Sequence, residues 1–383
     1  MNIEYLLYGY GLVCLSMLVF NLVYTLHLRT GNHRLEKQVA ALAKRVDAQL
    51  NYIRQNQPVQ ERHLIWMRRR LSRVHWLLAF DRLWEDYDKD NTTFLEYTIQ
   101  FQPVFLYLST VYLKREETQA AYYCYFLSRH WNQRHRQMDQ IQQVILSYLQ
   151  KNSLYCRINA LKALCAFGSP ESLVSALLEL GKGTESPLHE KVITEALLTY
   201  TGNCDDLIGR LWVRFDQFTL HIQRSILDYI RFQSGNYGPQ LLQILQDPQQ
   251  NKELRFAAIR YFGRYPDPGA KETLLAMIAD QDPAHWEFAA ISASSLARYP
   301  GQEVVDGLLH AMNSPNWYVR YNASASLEAH GLDYEQLLQV IAGEDRYARE
   351  MLVYRLETRR LEKTPLEWEA EGNEQQEKVA ATL

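Results

Sequence analysis

The sequence predicts an all-α protein: a solenoid of stacked helical hairpins preceded by a single transmembrane helix. Two landmarks recur through residues 151–360 with nearly the same period. Helix-breaking residues return at gaps of 34, 33, 31, 34 and 31 residues, and apolar pairs return at gaps of 34, 30, 33, 34 and 29 residues. Two landmarks that keep one period indicate a stacked array. A third observation, an uncharged run of 24 residues from Tyr5 to Leu28, predicts the membrane helix.

The landmarks divide each repeat into two helices. Small residues are frequent in the first helix, and the apolar pair lies in the second. Neither helix can bury its apolar face alone, so neighbouring repeats must complete the core. The breakers are Gly168, Gly202, Gly235, Pro266, Pro300 and Gly331, and the pairs are Leu177-Leu178, Leu211-Trp212, Leu241-Leu242, Leu274-Leu275, Leu308-Leu309 and Leu337-Leu338.

The run at residues 5–28 favours an uncleaved anchor. A cleaved signal peptide has a basic start, a shorter apolar core and a small-residue cleavage site, whereas Glu4 precedes this longer run. A cleaved signal and a buried core helix remain the alternatives. Residues 27–75 hold eleven Lys and Arg against three Asp and Glu. The positive-inside rule therefore predicts a single-pass protein of the cell membrane, with its N-terminus outside and its C-terminal domain cytoplasmic.

Residues 29–58 are predicted to form a helical stalk. Leu35, Val39, Leu42 and Val46 keep a 4-3-4 spacing over about two heptads, which is shorter than the three to four heptads that define a coiled coil. Weak self-association through residues 33–56 is one interpretation. The other is a helix that continues out of the membrane and leans on the next domain.

Residues 59–150 are predicted to be an N-terminal helical region of four helices, in which no repeat register is clear. Pro103 is expected to kink or divide the second of them. The repeats of residues 151–360 follow. After Pro365 the composition turns to Glu, Gln and Ala, so residues 361–383 are predicted to be an acidic, disordered tail.

A basic segment near residue 70 has two interpretations. Its arginines interleave with apolar residues, so the helix could lie on anionic lipid headgroups. It could equally be a solvated face whose apolar side packs on the next helices, and the continuation of that side to Leu77 and Leu83 favours this interpretation. The arginines in question are Arg62, Arg68, Arg69, Arg70 and Arg73.

At WYVRYNASASLEAHG and LRFAAIRYFGRYPDPGA the repeats resemble HEAT repeats, specifically the short variety also found in phycobilin lyases. The resemblance covers residues 151–360 and implies a right-handed α-solenoid of HEAT-like helical hairpins. It also implies that one arginine per repeat braces an acidic residue between repeats, here matched by Arg157, Arg224, Arg255 and Arg320. Lys191 and Ala289 interrupt that ladder.

The sequence offers no motif for catalysis. GxSxG, the P-loop, GxGxxG and HExxH do not occur. The eleven histidines are dispersed, and His130 and His135 miss the spacing of four that would place them on one helical face. We therefore expect no enzyme, no cofactor and no metal. A net charge of −3 argues against nucleic acid, and five cysteines without a CxxC suit reduced thiols.

A solenoid offers a long concave surface to a protein partner. The predicted function is a membrane-tethered cytoplasmic scaffold or adaptor with a membrane-associated protein partner. By resemblance, single-pass HEAT proteins look like accessory subunits of bacterial envelope machinery, for example a polysaccharide-synthesis complex. The alternatives are a bilin-lyase-like enzyme, against which the anchor argues, and a peripheral signalling adaptor that binds anionic lipid.

In HEAT-like arrays the second helix of each repeat lines the concave side, so exposed polar positions there are the candidate partner-binding residues. A merely solvated face is the alternative. Trp286 and Trp317 recur at one repeat position and are interpreted as packing between adjacent units rather than as ligand-stacking residues. The candidates are Glu179, Gln240, Gln243, Asp306, His310, Gln336 and Gln339.

Overall fold

A computed structural model describes residues 3–87, 91–131, 139–182, 187–280, 282–331 and 337–362. Within these ranges the regular secondary structure is helical, and no strand occurs. This confirms the predicted all-α class. The chain forms two compact units, Met1–Thr219 and Leu220–Leu383.

The first unit begins with the longest helix of the described chain. Its helices are α1 (Ile3–Arg54), α2 (Glu61–Leu71), α3 (Val74–Glu85), α4 (Thr92–Leu113), α5 (Glu117–His130), α6 (Asp139–Tyr148), α7 (Leu154–Phe167), α8 (Pro170–Gly181), α9 (Glu190–Leu197) and α10 (Cys204–Val213).

Helices of the first unit alternate between two rows. The odd row joins α3 to α5, α5 to α7 and α7 to α9, while the even row joins α2 to α4, α4 to α6, α6 to α8 and α8 to α10. Each helix thus packs on the helix two places along the chain, which is the arrangement of stacked hairpins. The alternation begins well before residue 151, in the region where the sequence showed no repeat register.

The start of this array is built from aromatic residues instead of leucine pairs. The ring of Trp84 lies 4.8 Å from that of Phe80, and the ring of Trp131 lies 4.4 Å from that of Phe105. All four side chains are buried. Such edge-to-face contacts stabilise a core without the small and branched residues that mark the later repeats.

Residues 59–150 contain five described helices, not the four predicted. The break between α2 and α3, which the sequence analysis missed, is stabilised by one tertiary and one local hydrogen bond. The Tyr112 hydroxyl donates to the Leu71 carbonyl oxygen at 2.7 Å, and the Ser72 hydroxyl donates to that of Arg68 at 2.6 Å. These bonds satisfy carbonyls at the end of α2. Pro103, in contrast, lies inside α4 and does not divide it.

Helix α1 runs without interruption through the predicted anchor and into the predicted stalk. Its first part is exposed, for example at Leu12 and Phe20. From residue 42 onwards one side is buried against α3 and α4 through Leu42, Val46 and Leu50. The stalk segment therefore leans on the rest of the first unit, as one of the two interpretations predicted.

The second unit repeats the two-row arrangement. Its described helices are α11 (Leu220–Gln233), α12 (Gly238–Gln246), α13 (Lys252–Arg264), α14 (Pro268–Ala279), α15 (Trp286–Ser295), α16 (Gln302–Ala311), α17 (Trp317–Ala329), α18 (Leu338–Ile341) and α19 (Arg346–Glu362). The odd row runs from α11 through α13, α15 and α17 to α19, and the even row joins α12, α14 and α16.

Small residues let the odd helices of the second unit approach closely. Ala293 and Ala323 are buried where α15 meets α17. The Asn322 side chain donates to the Ala290 carbonyl oxygen at 2.8 Å, and the Ser326 hydroxyl donates to that of Ala293 at 2.6 Å. These bonds tie one repeat to the backbone of the preceding one.

Three arginines of the ladder implied by the resemblance have different partners. Arg224 pairs with Glu253 of the next repeat at 2.9 Å. Arg255 Nε instead donates to the Leu245 carbonyl oxygen at 3.1 Å, and Arg320 donates to that of Ser314 at 2.6 Å. Arg255 thus binds the last turn of α12, and Arg320 binds the turn that precedes its own helix.

Candidate partner-binding surfaces

The predicted partner-binding residues lie on even-row helices and differ in exposure. In the second unit Gln243 on α12 and both Asp306 and His310 on α16 are exposed. Gln240 is half-buried, and its Oε1 is buried without a hydrogen-bond partner. In the first unit Glu179 on α8 is half-buried. Gln336 and the side chain of Gln339 lie outside the described residues.

Glu179 already has partners within the first unit. It forms an ion pair with Lys182 and accepts a hydrogen bond from Gln150 at 3.4 Å. The hydrogen bond from Lys182 lowers the pKa of the Glu179 carboxyl, so this carboxylate is ionised, and the positive charge of Lys182 neutralises it. It is the least available of the described candidates.

The even row of the second unit carries an excess of acidic residues. Helices α12, α14 and α16 together contain three acidic residues against one basic residue. That basic residue, Lys271 on α14, is used in an ion pair with Glu303 on α16 and also donates to the Pro300 carbonyl oxygen at 2.8 Å. Glu272 and Asp306 remain exposed. This surface therefore favours a partner with basic groups.

A cavity of about 260 Å³ lies beside this acidic surface, where the turns after α14 and α16 meet. Asp280, Asp282 and Trp286 form one side of it, and His310 and Val319 contribute to the other. Among these residues the sequence had singled out His310 and Trp286. It missed the two aspartates, because only the stacking of two repeats brings them opposite α16 and α17.

The two aspartates also organise the turn that leads into α15. Asp280 accepts a hydrogen bond from the backbone N–H of Asp282 at 2.9 Å, and its second oxygen lies 2.7 Å from His285 Nδ1. These contacts lower the pKa of the Asp280 carboxyl. Asp282 Oδ1 accepts from the backbone N–H of Ala284 at 2.8 Å. Both carboxylates are held in place at the cavity.

The two repeated tryptophans have different surroundings. Trp286 stacks on Tyr318 of the next repeat, with ring centroids 5.5 Å apart, which matches the predicted packing between units. Trp317 is 49% exposed and stacks on Tyr321 of its own helix at 4.9 Å. The described ring contacts of Trp317 are thus to its own helix, and they do not test its packing between units.

The predicted basic segment packs its apolar side inward. Met67 and Leu71 are buried, whereas Arg62, Arg69 and Arg73 are exposed. The two remaining arginines are half-buried over aromatic rings, with the Arg68 guanidinium 5.9 Å from the Tyr107 ring centre and that of Arg70 5.0 Å from the Trp76 ring centre. Such cation–π contacts hold part of the positive charge within the fold.

A largely buried polar network lies in the first unit beside a groove between α1, α3 and α5. His130 and Tyr122 both bond to the Asp81 carboxylate, Tyr122 at 2.6 Å, and the Arg129 guanidinium lies 3.8 Å away. Burial works to raise the pKa of Asp81, but the bonds from His130 and Tyr122 outweigh it and lower the pKa. This network links α3 to α5.

Neither a metal nor a second membrane helix is indicated in the described part of the chain. No group of three or more His, Cys, Asp or Glu side chains there could hold a metal ion, and His135 falls outside the described residues. One window, Tyr8–Thr25, is long and apolar enough to cross a membrane, with a mean hydropathy of 1.4. A signal sequence at the N-terminus would satisfy the same criterion.

Comparison with known families agrees with this geometry for part of the chain. Residues 238–328 match the family model of HEAT repeats. This range extends from the start of α12 to near the end of α17 and includes the acidic even row and the cavity. A search of curated proteins found no match. The second unit is thus similar to proteins whose repeats serve as interaction scaffolds.

Proposed function

We propose that this protein is a membrane-tethered cytoplasmic scaffold that binds a protein partner through the even row of its second unit. One observation carries the proposal. Within the part of the chain that resembles HEAT repeats, α12 and α16 present exposed polar side chains on helices whose apolar sides are buried. A rigid surface of this kind binds a partner at a low entropic cost.

The HEAT similarity points to a scaffold rather than to catalysis. A bilin-lyase-like activity would need a pocket that holds a tetrapyrrole and a group that handles its covalent attachment. The cavity of about 260 Å³ beside the even row is small for such a ligand, since ligand pockets typically measure about 300–1,000 Å³, whereas cavities of about 450 Å³ and 860 Å³ in the first unit fall within that range. The HEAT similarity, and not cavity size, therefore supports the scaffold over the lyase.

The uninterrupted α1 supports the tether. Its exposed apolar part continues directly into the part that packs on α3 and α4, so a membrane-embedded α1 would hold the first unit near the bilayer. The charge asymmetry after residue 28 favours a cytoplasmic location for everything that follows. Tethering raises the effective concentration of the scaffold towards other membrane proteins. By the resemblance stated above, an accessory role in a bacterial envelope or polysaccharide-synthesis complex fits such a protein.

The anionic-lipid alternative is less compatible with an upright anchor. The Arg45 guanidinium lies 4.2 Å from the ring centre of Trp66 on α2, so α2 is level with residue 45 of α1. At a rise of about 1.5 Å per residue, residue 45 lies about 30 Å beyond Thr25 along the helix. That distance exceeds the screening length of about 8 Å at physiological ionic strength. Arg69 and Arg73 would reach headgroups only if α1 lay tilted towards the membrane.

Packing within the first unit competes with self-association through residues 33–56. Leu42 and Val46, which would form half of the predicted seam, are buried against α3 and α4. A coiled coil would have to detach them from that core. Any weak self-association would therefore use the half-exposed Leu35 and Val39 alone.

The test adds positive charge to the proposed surface. We expect the double variant Gln243→Lys and Asp306→Lys to lose its protein partner in cross-linking from native membranes followed by mass spectrometry, because two new positive charges would repel a basic partner. Both positions are exposed, so stability should change by no more than about 0.5 kcal/mol per substitution. The matched control is Ser294→Lys, an exposed position on the odd-row helix α15. Equal partner recovery from both variants would refute the proposed surface.

A further inference from the structure

We propose that the cavity between the turns after α14 and α16 receives an arginine side chain of the protein partner. The inference rests on the proposed function and specifies the partner chemistry at one place on that surface. Three properties of the cavity carry it: apolar walls that include an aromatic face, two carboxylates, and the lack of any cationic Lys or Arg side chain among its lining residues.

The walls suit a flat, weakly hydrated group. Ile278, Ala289 and Val319 provide apolar surface, and Trp286 provides an aromatic ring. The Tyr318 ring stacks on Trp286 and holds it in position. A guanidinium stacks on an aromatic face more readily than a lysine ammonium does, because it is planar and more weakly hydrated. The methylene stem of arginine would cover the apolar residues.

The charge of the cavity is complementary to a cation. Asp280 and Asp282 both contribute to the lining. Each carboxylate oxygen can accept two hydrogen bonds, and the contacts to the backbone and to His285 leave acceptor capacity on both groups. Asp282 Oδ2 lies 3.9 Å from His285 Nδ1, beyond hydrogen-bond distance. A guanidinium with five N–H donors would use these free positions.

The size of the cavity fits one side chain. Its volume of about 260 Å³ far exceeds the roughly 15 Å³ that admits a single water. His310 lies at its edge on the exposed side of α16, next to the even-row surface that we propose as the partner-binding site. A partner seated on that surface would therefore have the cavity within reach of one of its arginines.

The experiment uses the full chain in detergent, labelled with 5-fluorotryptophan and followed by ¹⁹F NMR. The chain has eight tryptophans, and the variant Trp286→Phe identifies the resonance of Trp286. The probe is N-acetyl-L-arginine amide. We expect its addition to shift the Trp286 resonance in a saturable way. The neutral isostere N-acetyl-L-citrulline amide should bind about tenfold more weakly, because it lacks the charge that the carboxylates recognise.

One double variant tests the role of the carboxylates. Asp280→Asn with Asp282→Asn should weaken arginine binding by about tenfold. Asparagine caps helices as well as aspartate does, so the turn should stay folded, and an unchanged Trp317 resonance would verify it. The matched control is Glu272→Gln, which removes an exposed acid of α14 outside the cavity and should leave binding unchanged. Equal binding of citrulline or lysine amide, or no effect of the double variant, would overturn the proposal.

The outcome separates this inference from the proposed function. Suppose that the Trp286 resonance does not shift when the arginine amide is added, while the double variant Gln243→Lys and Asp306→Lys still loses the partner. The cavity proposal then fails and the scaffold surface stands. If arginine binds as expected while the partner is retained by that variant, the scaffold surface fails.

Discussion

Replacing Gly263 by alanine tests how closely the odd-row helices of the second unit approach each other. Gly263 lies inside α13, near its end. A Cβ atom added there would lie 2.7 Å from Ser295 Oγ, 3.1 Å from Ser295 Cβ and 3.2 Å from Ser295 Cα. The hydroxyl cannot rotate away freely, because Ser295 is buried and donates to the Ile259 carbonyl oxygen at 3.0 Å.

Two effects of opposite sign decide the result. Alanine is favoured over glycine inside a helix by about 1 kcal/mol. Overpacking a close contact costs about 1–3 kcal/mol, and here the obstacle includes the backbone of Ser295. We therefore expect Gly263→Ala to lower the free energy of unfolding of the second unit by about 1 kcal/mol, despite the gain in helix propensity.

Gly209→Ala is the matched control. Gly209 lies inside α10 of the first unit, and nothing is within 4 Å of a Cβ atom built there. Alanine should stabilise α10 by about 0.5–1 kcal/mol. Because the chain has two compact units, hydrogen exchange should be read separately on peptides from α13 and from α10. If Gly263→Ala and Gly209→Ala gave equal gains in hydrogen-exchange protection, the close approach of α13 and α15 at Gly263 would be refuted.

Three further outcomes are expected, two from the structure and one from the charge asymmetry of the sequence. Ala323→Asp should cost several kcal/mol and remove exchange protection from α17, since Ala323 is buried against α15, whereas Ala323→Ser should be tolerated far better. Asp81→Asn should destabilise the first unit by about 1–3 kcal/mol at pH 7. Since the folded pKa of Asp81 is lowered, its ionised form contributes stability above about pH 4, and this stability is lost as the pH falls through the folded pKa. The free energies of unfolding of the wild type and of Asp81→Asn, measured by urea titration, should therefore converge at low pH. A constant difference between them would contradict this account. Alkaline phosphatase fused after Leu383 should be inactive if the C-terminal domain is cytoplasmic, and an active fusion would overturn that orientation.

Local features of the fold were predictable from the sequence because they depend on neighbouring residues. Gly168 and Pro266 lie just beyond the ends of α7 and α13, where breakers were placed. Asp267 accepts hydrogen bonds from backbone N–H groups in the first turn of α14, as capping residues do. Periodicity and breakers together determined the all-α class and the repeats after residue 151.

The array before residue 151 was recognisable only in the tertiary structure. Its helices follow the same two-row order, but buried aromatic residues such as Trp84 and Phe105 take the place of the leucine pairs. Core packing depends on volume and shape, and different sets of residues can fill the same space. Before residue 151 the repeat pattern is therefore absent from the sequence, although the helices keep the two-row arrangement.

The contents of the candidate site also depended on the tertiary structure. The even-row positions Gln243, Asp306 and His310 followed from helical spacing and are exposed, as expected. Asp280 and Asp282 belong to a turn, and no spacing within one repeat indicates that they border a cavity with Val319. Helical period and capping act over a few residues, so the sequence by itself determined the helices and their repeat; which side chains of successive repeats meet was decided by the stacking of those helices in space.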